Sequence, residues 1–525
     1  MIPLYSSQQV RKADNYAINR LKIPSITLME NASRSIYQIT LNKFPELDQS
    51  HEIGIICGKG NNGGDGFALA RHFINDGYNV KLLSLSSGND LSEDAKINFE
   101  ILKSLIKRRP GSSLIHYKSI KDINKLRSCY VLFDALLGTG AKGELREPYN
   151  SIITAVNKFS SYKIAVDIPT GLDINNATGS IIFNADLTVA LAELKSGLFY
   201  GNGYIYSGEI EKGYIGIGED FFEELEVENY LIEPEDAFIG LPIKKMDMHK
   251  YSAGKVLTVA GSGRLPGAAC FTANSVIFGG AGASILAFPN SVKSIAHNKL
   301  ESATMFNYDD EGTEFLSKKN INEIKEYFNW ADSIAIGPGL GRKIETIEAV
   351  RYLLSSLKNK KVVVDADALY AISDNYYKKI NLNGMVLTPH YHEFANLLGI
   401  KLKVLQENIL ELGKKFVKET GAYLVLKGAP TIIFTPLGEA LINTTGNPGM
   451  ATFGSGDVLT GLLASFIAQS NDLEEAIVSA VYIHSLAADL LLVNVTEHGI
   501  TADLIMKNIP YTIKFLEDTV VKSNF

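Results

Sequence analysis

Short apolar runs alternate along this chain with longer stretches whose apolar residues recur at helical spacing. In the first half the runs EIGIIC (52–57), KLLSL (81–85), YVLFD (130–134) and KIAVD (163–167) are bounded by turn-forming residues, as buried strands are. Between them FALARHFINDG (67–77), LSEDAKINFEILKSL (91–105) and YNSIITAVNKF (149–159) read as helices. Strand and helix in turn predict a mostly parallel sheet with helices on both faces. Two helices precede it over residues 6 to 44, the second starting near Pro24, with Ile26, Met29, Ala32 and Ile36 on one face.

The alternation stops between Gly218 and Met246, where EDFFEELEVENYLIEPEDAFIGLP is acidic and shows neither period. A domain boundary is expected there, dividing the chain into 1–218, a linker region 219–245, and 246–525. The second half restarts with the strand-like GKVLTVAGSG and continues through SIAIGPGLG, KVVVDADAL, MVLTPHYHEFANLL and YLVLKGAPTIIF; after Leu459 it is helical. The fold class expected is α/β with two domains, each with a crevice at its strand ends.

Composition narrows the picture mainly by exclusion. Lys and Arg number 51 against 58 Asp and Glu, and no basic block stands out, so nucleic acid is not an expected partner. Cys57, Cys129 and Cys270 are far apart, which excludes a disulfide framework and a CxxC metal clip and points to a reducing compartment, the cytoplasm. The polar start MIPLYSSQQVRKADNYAINR has no signal-peptide pattern. The uncharged run from Leu265 to Val292 is interrupted by Thr272, Asn274, Ser275 and GGAG (279–282), so it reads as buried helix, turn and strand rather than a membrane span. HYHEF at 390–394 lacks the HExxH spacing of a zinc site, and His484, inside an apolar helical run, reads as a core histidine.

Chemistry concentrates at GNPGMATFGSGDVLTG (446–461), where glycines and small residues open an apolar helix and crowd the amides of Ser455, Gly456 and Asp457 at its N-terminus. Such an end attracts an anion, and Gly454 and Gly456 suggest bare backbone for phosphates to approach. In the first half GKGNNGGDG (58–66) sits at a strand-to-helix turn. Gly58, Gly60 and Gly63 satisfy GxGxxG, yet serines stand where a ribose-binding acid belongs at the end of the next strand, and no P-loop triplet follows. Asn62, Asp134, Asp167 and Thr170 all fall at strand ends, where a parallel sheet gathers them, and their oxygens suit a hard cation.

The segments NNGGDG, GTGAKG and VDIPTG resemble the NAD(P)H-hydrate epimerase family over residues 1 to about 218. The ordered set GPGLG, DADAL, TPH, KGAPT and GNPGMATFGSGD resembles the ADP-dependent NAD(P)H-hydrate dehydratases of the ribokinase-like superfamily over nearly all of 240 to 515. The resemblance implies a Rossmann-like three-layer αβα domain followed by a ribokinase-like αβα domain with a mostly parallel sheet. In the first, Asn61, Asn62, Gly63, Gly64, Asp65 and the run Gly138, Thr139, Gly140, Ala141, Lys142, Gly143 and Glu144 would bind hydrated dinucleotide together with Asp167. Asn62, Asp134 and Thr170 would hold potassium, and Asp167 would transfer protons at the hydrated ring carbon. In the second, Ala268, Gly339, His390 and Asp457 would contact the hydrate, while Lys427, Gly428, Ala429, Pro430, Thr431 and Gly456 would contact the adenine nucleotide. Tyr391, His392 and Phe453 depart from the TPHPGE and MATGGSGD common in that family.

Those roles imply an enzyme that epimerises the R and S hydrates of NADH and NADPH and dehydrates the S hydrate at the expense of ADP, giving AMP and phosphate. Asp457 would be the base and magnesium would assist on the phosphates. Partners are then small molecules, with no nucleic acid and no membrane, and a homo-oligomer is expected. Two rivals stay open: a ribokinase-like kinase for a vitamin precursor, and a first half that senses nucleotide without catalysis.

Overall fold

The computed structural model describes residues 1–140, 143–218, 220–357 and 359–523 and divides into two compact units, Pro3–Val227 and Glu228–Phe525, the latter also taking in Met1–Ile2. In the first unit seven strands form one sheet, all parallel, in the spatial order Ser113–His116, Asn79–Ser84, Glu52–Cys57, Val131–Ala135, Tyr162–Val166, Leu187–Leu191, Glu209–Gly213. The period of two explains why both faces are apolar. Ile53, Ile55, Val131, Phe133, Ile164 and Val166 pack against the helices Ser25–Lys43, Asn61–Asn75 and Glu93–Ile106, while Ile56, Leu132 and Ala165 meet Ile152, Ile153 and Val156 on the other side. Each such side chain, fully removed from water, contributes about 1.5–3 kcal/mol.

The strand order turns back between Glu52–Cys57 and Val131–Ala135, because the first connects outward to Asn79–Ser84 and the second to Tyr162–Val166 on the opposite side. Loops leaving two such neighbours diverge and leave a crevice at the strand carboxyl ends.

The second unit repeats the device on an eleven-stranded sheet. Its parallel centre places Lys255–Val259 between Ala283–Pro289 and Ser333–Ile336, and continues through Lys361–Val364, Val386–Leu387 and Tyr423–Leu426. Thr431–Phe434 and Ala440–Asn443 then pair antiparallel. Val256, Ala335, Val363, Val386 and Val425 form one core with the helices Ser455–Gln469 and Leu473–Leu491. The helices Pro266–Phe278 and Ser455–Gln469 touch at Gly461, where a methyl group would stand 2.1 Å from the Thr272 carbonyl oxygen.

Two local expectations meet the backbone differently. Leu265 to Val292 is the helix Pro266–Phe278, a glycine turn and the buried strand Ala283–Pro289, as its interrupting polar residues implied. Within the stretch expected as linker, 219–245, the described residues hold regular structure: the helix Asp220–Glu223, the strand Asn229–Leu231 beside Ala440–Asn443, and the helix Pro234–Ile239. Elements this short carry no readable period, and the acidic background hid them. Among the described residues no helix is long and apolar enough to cross a membrane.

Candidate functional site

Each unit presents one site at its strand ends. In the first a cavity of about 600 Å³ opens at the turning point of the sheet, with Asn61, Asn62 and Asp65 from the start of one helix, Gly138, Thr139 and Gly140 from the loop after Val131–Ala135, and Asp167 among its walls. Gly63, Gly64, Gly143 and Glu144 are not among the described lining residues, and Ala141 and Lys142 lie outside the described residues. Gly63 works from behind: a methyl group there would fall 2.2 Å from the Gly58 carbonyl oxygen, and one on Gly64 would meet the Met29 side chain at 2.5 Å. Glu144 accepts a hydrogen bond from the Ser180 hydroxyl.

Asp134 is fully buried, yet its carboxylate is well served. Its Oδ1 accepts from the Thr170 hydroxyl at 2.8 Å and the Leu136 amide at 3.1 Å, and Oδ2 accepts from the Thr170 amide at 2.8 Å. Burial raises its pKa to about 6, with the Thr170 and Leu136 hydrogen bonds working against the rise. Asn62 is buried beside Gly138, and among the described residues its Nδ2 has no hydrogen-bond partner.

Asp167 takes a left-handed backbone, φ 71°, directly after the strand Tyr162–Val166. An aspartate tolerates this only at some cost, and such strain is held by surrounding structure. The holding group is Lys195, whose fully buried ammonium donates to Asp167 Oδ1 at 2.7 Å, to the Leu191 carbonyl at 2.6 Å and to the Glu193 carbonyl at 3.2 Å. Lys195 went unnoticed in sequence, as did Asp14 and Arg11 of the helix Ser7–Asn19, which also line the cavity. A lysine in the apolar context LAELKSG was the available sign for the first; spacing offered none for the other two.

The second site is built around the helix Ser455–Gln469. Gly454 caps it in a left-handed conformation, φ 93°, against Phe271 and Ala502. The Ser455 amide leans on the Thr452 carbonyl at 3.4 Å, whereas among the described residues the amides of Gly456 and Asp457 have no protein partner. Two free donors therefore stand at this N-terminus, one fewer than the sequence suggested. His484 fixes the turn from beneath: its buried ring lies with Nε2 2.9 Å from the Ser455 carbonyl oxygen, a contact only an Nε2–H tautomer makes, and burial lowers its pKa to about 4.

Facing those amides is Lys427, whose Nζ would lie 3.3 Å from a methyl group on Gly456. It donates to Asp365 Oδ1 at 2.8 Å, and Thr460 donates to Asp365 Oδ2 at 2.7 Å. Burial works to lower the Lys427 pKa, but the carboxylates of Asp365, Glu393 and Asp457 raise it overall. Asp457 moves the other way for a carboxylate: burial first, then Asp365, push it up to about 7 in spite of Lys427. Asp365 is the residue the sequence reading omitted, although it ends the strand Lys361–Val364 by the same rule that singled out Asp134 and Asp167.

His390 caps the helix Tyr391–Leu398, its Nδ1 accepting from the Glu393 amide at 3.2 Å, and joins Lys427 through a parallel bridge between their backbones. That leaves Nε2 as the ring's donor. Gly339, φ 67°, lies beside Ala268, with 3.1 Å between a methyl group on the glycine and the Ala268 Cβ. Lys427 through Pro430 form the loop between two strands, the second of which Thr431 opens, with Gly428 and Ala429 exposed, Pro430 buried and Thr431 partly buried. Tyr391 fills the space over Gly428, Phe453 is fully exposed, and His392 lies with its ring 6.1 Å from that of His390.

Comparison with known proteins covers both units. A family model described as NAD(P)H-hydrate dehydratase matches residues 256–511, and one described as YjeF-related protein N-terminus matches 25–197. The bifunctional NAD(P)H-hydrate repair enzyme of Moorella thermoacetica is 34% identical over 98% of this chain and 98% of its own length. The chain belongs to the bifunctional NAD(P)H-hydrate repair enzyme family. Members from Dictyoglomus turgidum and Escherichia coli are 30% and 28% identical, covering 97% and 95% of this chain and 98% and 92% of their own. Among solved structures, the Bacillus subtilis ADP/ATP-dependent NAD(P)H-hydrate dehydratase co-crystallized with ATP and Mg2+ is 27% identical, with a TM-score of 0.47, over 55% of this chain and 98% of that one.

Proposed function

We infer that the chain repairs hydrated NADH and NADPH in two steps, the first unit interconverting the R and S hydrates and the second dehydrating the S hydrate with ADP, which yields AMP and phosphate. The observation that carries the second step is the largely buried Asp457 carboxyl in the first turn of the helix Ser455–Gln469, in the field of the Lys427 ammonium and at a helix end whose Gly456 and Asp457 amides have no protein partner among the described residues. The hydrate carries hydroxyl on a carbon next to the ring nitrogen, and hydroxide leaves poorly. Asp457 takes the hydroxyl proton as the oxygen attacks the terminal phosphorus. The amides of Gly456 and Asp457 and the charge of Lys427 stabilise the phosphoryl oxygens. AMP leaves with the electrons of its bond to that phosphorus, the nitrogen lone pair then expels phosphate to give an iminium, and loss of a proton from the neighbouring ring carbon restores the dihydropyridine. In this reading Ala268, Gly339 and His390 hold the hydrate, and Gly428 to Thr431 the nucleotide.

Magnesium, when bound, would neutralise phosphate charge. Asp365 and Asp367 each have both oxygens engaged, Asp367 by the Gly341 amide and Arg342, so the ion would ride on the nucleotide phosphates. In the first unit the buried oxygens of Asn62, Asp134 and Thr170 suit potassium: the donor set is hard, and the Asp134 carboxylate has hydrogen bonds but no bonded cation among the described residues. The ion would supply that missing charge and fix the loops around the cavity. Three free, buried cysteines support a reducing, cytoplasmic setting.

The test mixes purified protein with a racemic hydrate and either ADP or ATP and follows the absorbance of regenerated NADH. Complete consumption is expected. A stop at half would remove the epimerase, and no consumption with either nucleotide would remove the dehydratase.

A further inference from the structure

The cavity of the first unit is lined by more acid than its assigned roles use. Asp14 comes from the helix Ser7–Asn19, Asp65 from Asn61–Asn75, Asp94 from Glu93–Ile106 and Asp167 from the end of Tyr162–Val166. The cations facing them are Arg11 and Lys59 on the wall and Lys195 behind Asp167, with the Tyr149 phenol also lining it. Arg11 is tied to the Thr139 carbonyl, and Lys195 to Asp167 and two carbonyls. Asp14 is partly buried on the cavity wall with no protein hydrogen bond to its carboxyl among the described residues, and the buried Asn62 Nδ2 on the same wall also lacks a partner among them. A carboxyl that opens into a cavity beside a buried polar group without a partner is free to meet a ligand.

These carboxyls differ in what they can do. Asp167 is already bonded to the Lys195 ammonium, 2.7 Å away. Asp65 is buried deepest, and burial followed by the charges of Asp167, Asp14 and Asp94 raises its pKa well above the ordinary carboxylate range. Asp14 lies between: burial and Asp167 raise it, Lys195 and Arg11 restrain it, and it rests at about 6. A proton donor works best when its pKa lies near the working pH.

Resting on the epimerase reading above, we propose that Asp14 is the catalytic acid of the first unit, delivering a proton to the departing ring hydroxyl while Asp167 serves as the base for the water that returns. The carbon–oxygen bond breaks with its electron pair on oxygen, and the Asp14 proton completes a water molecule. The ring-nitrogen lone pair becomes the second bond to carbon. A water then adds from either face, loses its proton to Asp167, and the nitrogen recovers its lone pair. Proton exchange with solvent returns both carboxyls to their starting state, so the epimers interconvert with no net change in atoms or charge.

The experiment uses the full chain and an enriched epimer, with chromatographic separation of the R and S hydrates and subtraction of the buffer-catalysed rate. Wild type should show kcat/KM for interconversion falling as pH rises through about 6, where Asp14 loses its proton. Asp14→Asn removes the acid and relieves repulsion with Asp167, so folding should be kept; kcat should drop at least about tenfold with KM little changed, and the pH limb should vanish. Asp14→Glu should restore the limb. An Asp14→Asn protein that keeps both rate and limb overturns the assignment alone, as does one that loses only affinity. A wild-type protein that cannot interconvert the epimers overturns the epimerase reading and this assignment together.

Discussion

Replacing Asp457 by Asn should abolish dehydration and at the same time make the second unit more stable. In the folded chain the Asp457 pKa stands at about 7 against an ordinary 3.8, because burial and Asp365 penalise its charge. A raised carboxyl pKa means the unfolded chain gives up its proton first, so stability falls as pH rises from about 4 to about 7 and is then level. Three units at about 1.4 kcal/mol each set an upper bound of about 4 kcal/mol, which Asn, a neutral isostere, should recover in part above pH 7 and not at all below pH 4. Loss of the base should lower kcat by about 10²–10⁴. The chain has a single tryptophan, Trp330, within Glu228–Phe525, so its fluorescence during urea unfolding reports on the second unit alone. A variant that unfolds at the same urea concentration as wild type across that pH range would show that Asp457 is not strained. One that still regenerates NADH would remove it from the chemistry.

The same ionisation makes wild-type dehydration rise with pH through about 7, read as kcat/KM from NADH absorbance; a rate flat across neutrality would contradict a carboxylate base with that pKa. Lys195→Met leaves Asp167 buried without its cation and should slow interconversion about 100-fold while dehydration stays within twofold, both measurable on one preparation. Gly58→Ala should cost the first unit about 3 kcal/mol or more in a thermal melt, since the methyl group would fall 1.9 Å from the Leu136 carbonyl oxygen, whereas Gly60→Ala, with nothing within 4 Å, should change it by less than about 0.5 kcal/mol. Exchange of potassium for a bulky organic cation should depress interconversion and spare dehydration, and Thr170→Val should reproduce the effect with potassium present.

What the sequence showed and what it hid divide along one physical line. Asp134, Asp167 and Asp457 were legible because a parallel sheet fixes where strand ends and following helices point, so an acid at such an end has a known address. Asp365 obeys that rule and was available to the same reasoning. Asp14 and Arg11 were not, because they lie on a helix that precedes the sheet, and nothing in its own period says which wall it will close. The glycine string at 58–63 marks the limit most sharply. It matches GxGxxG letter for letter, but its glycines serve packing: Gly58 passes under the Leu136 carbonyl, Gly63 packs on Gly58, and only Gly60 faces open space. Two loops leaving adjacent strands at the turning point of the sheet must pass within backbone distance of each other, and a Cβ on Gly58 would hold them apart, while one on Gly63 would open the turn within its own loop. The spacing that elsewhere admits a pyrophosphate here admits, at Gly58 and Gly63, the protein's own chain, and the cavity is lined from this segment by Gly60 and by the side chains of Asn62 and Asp65.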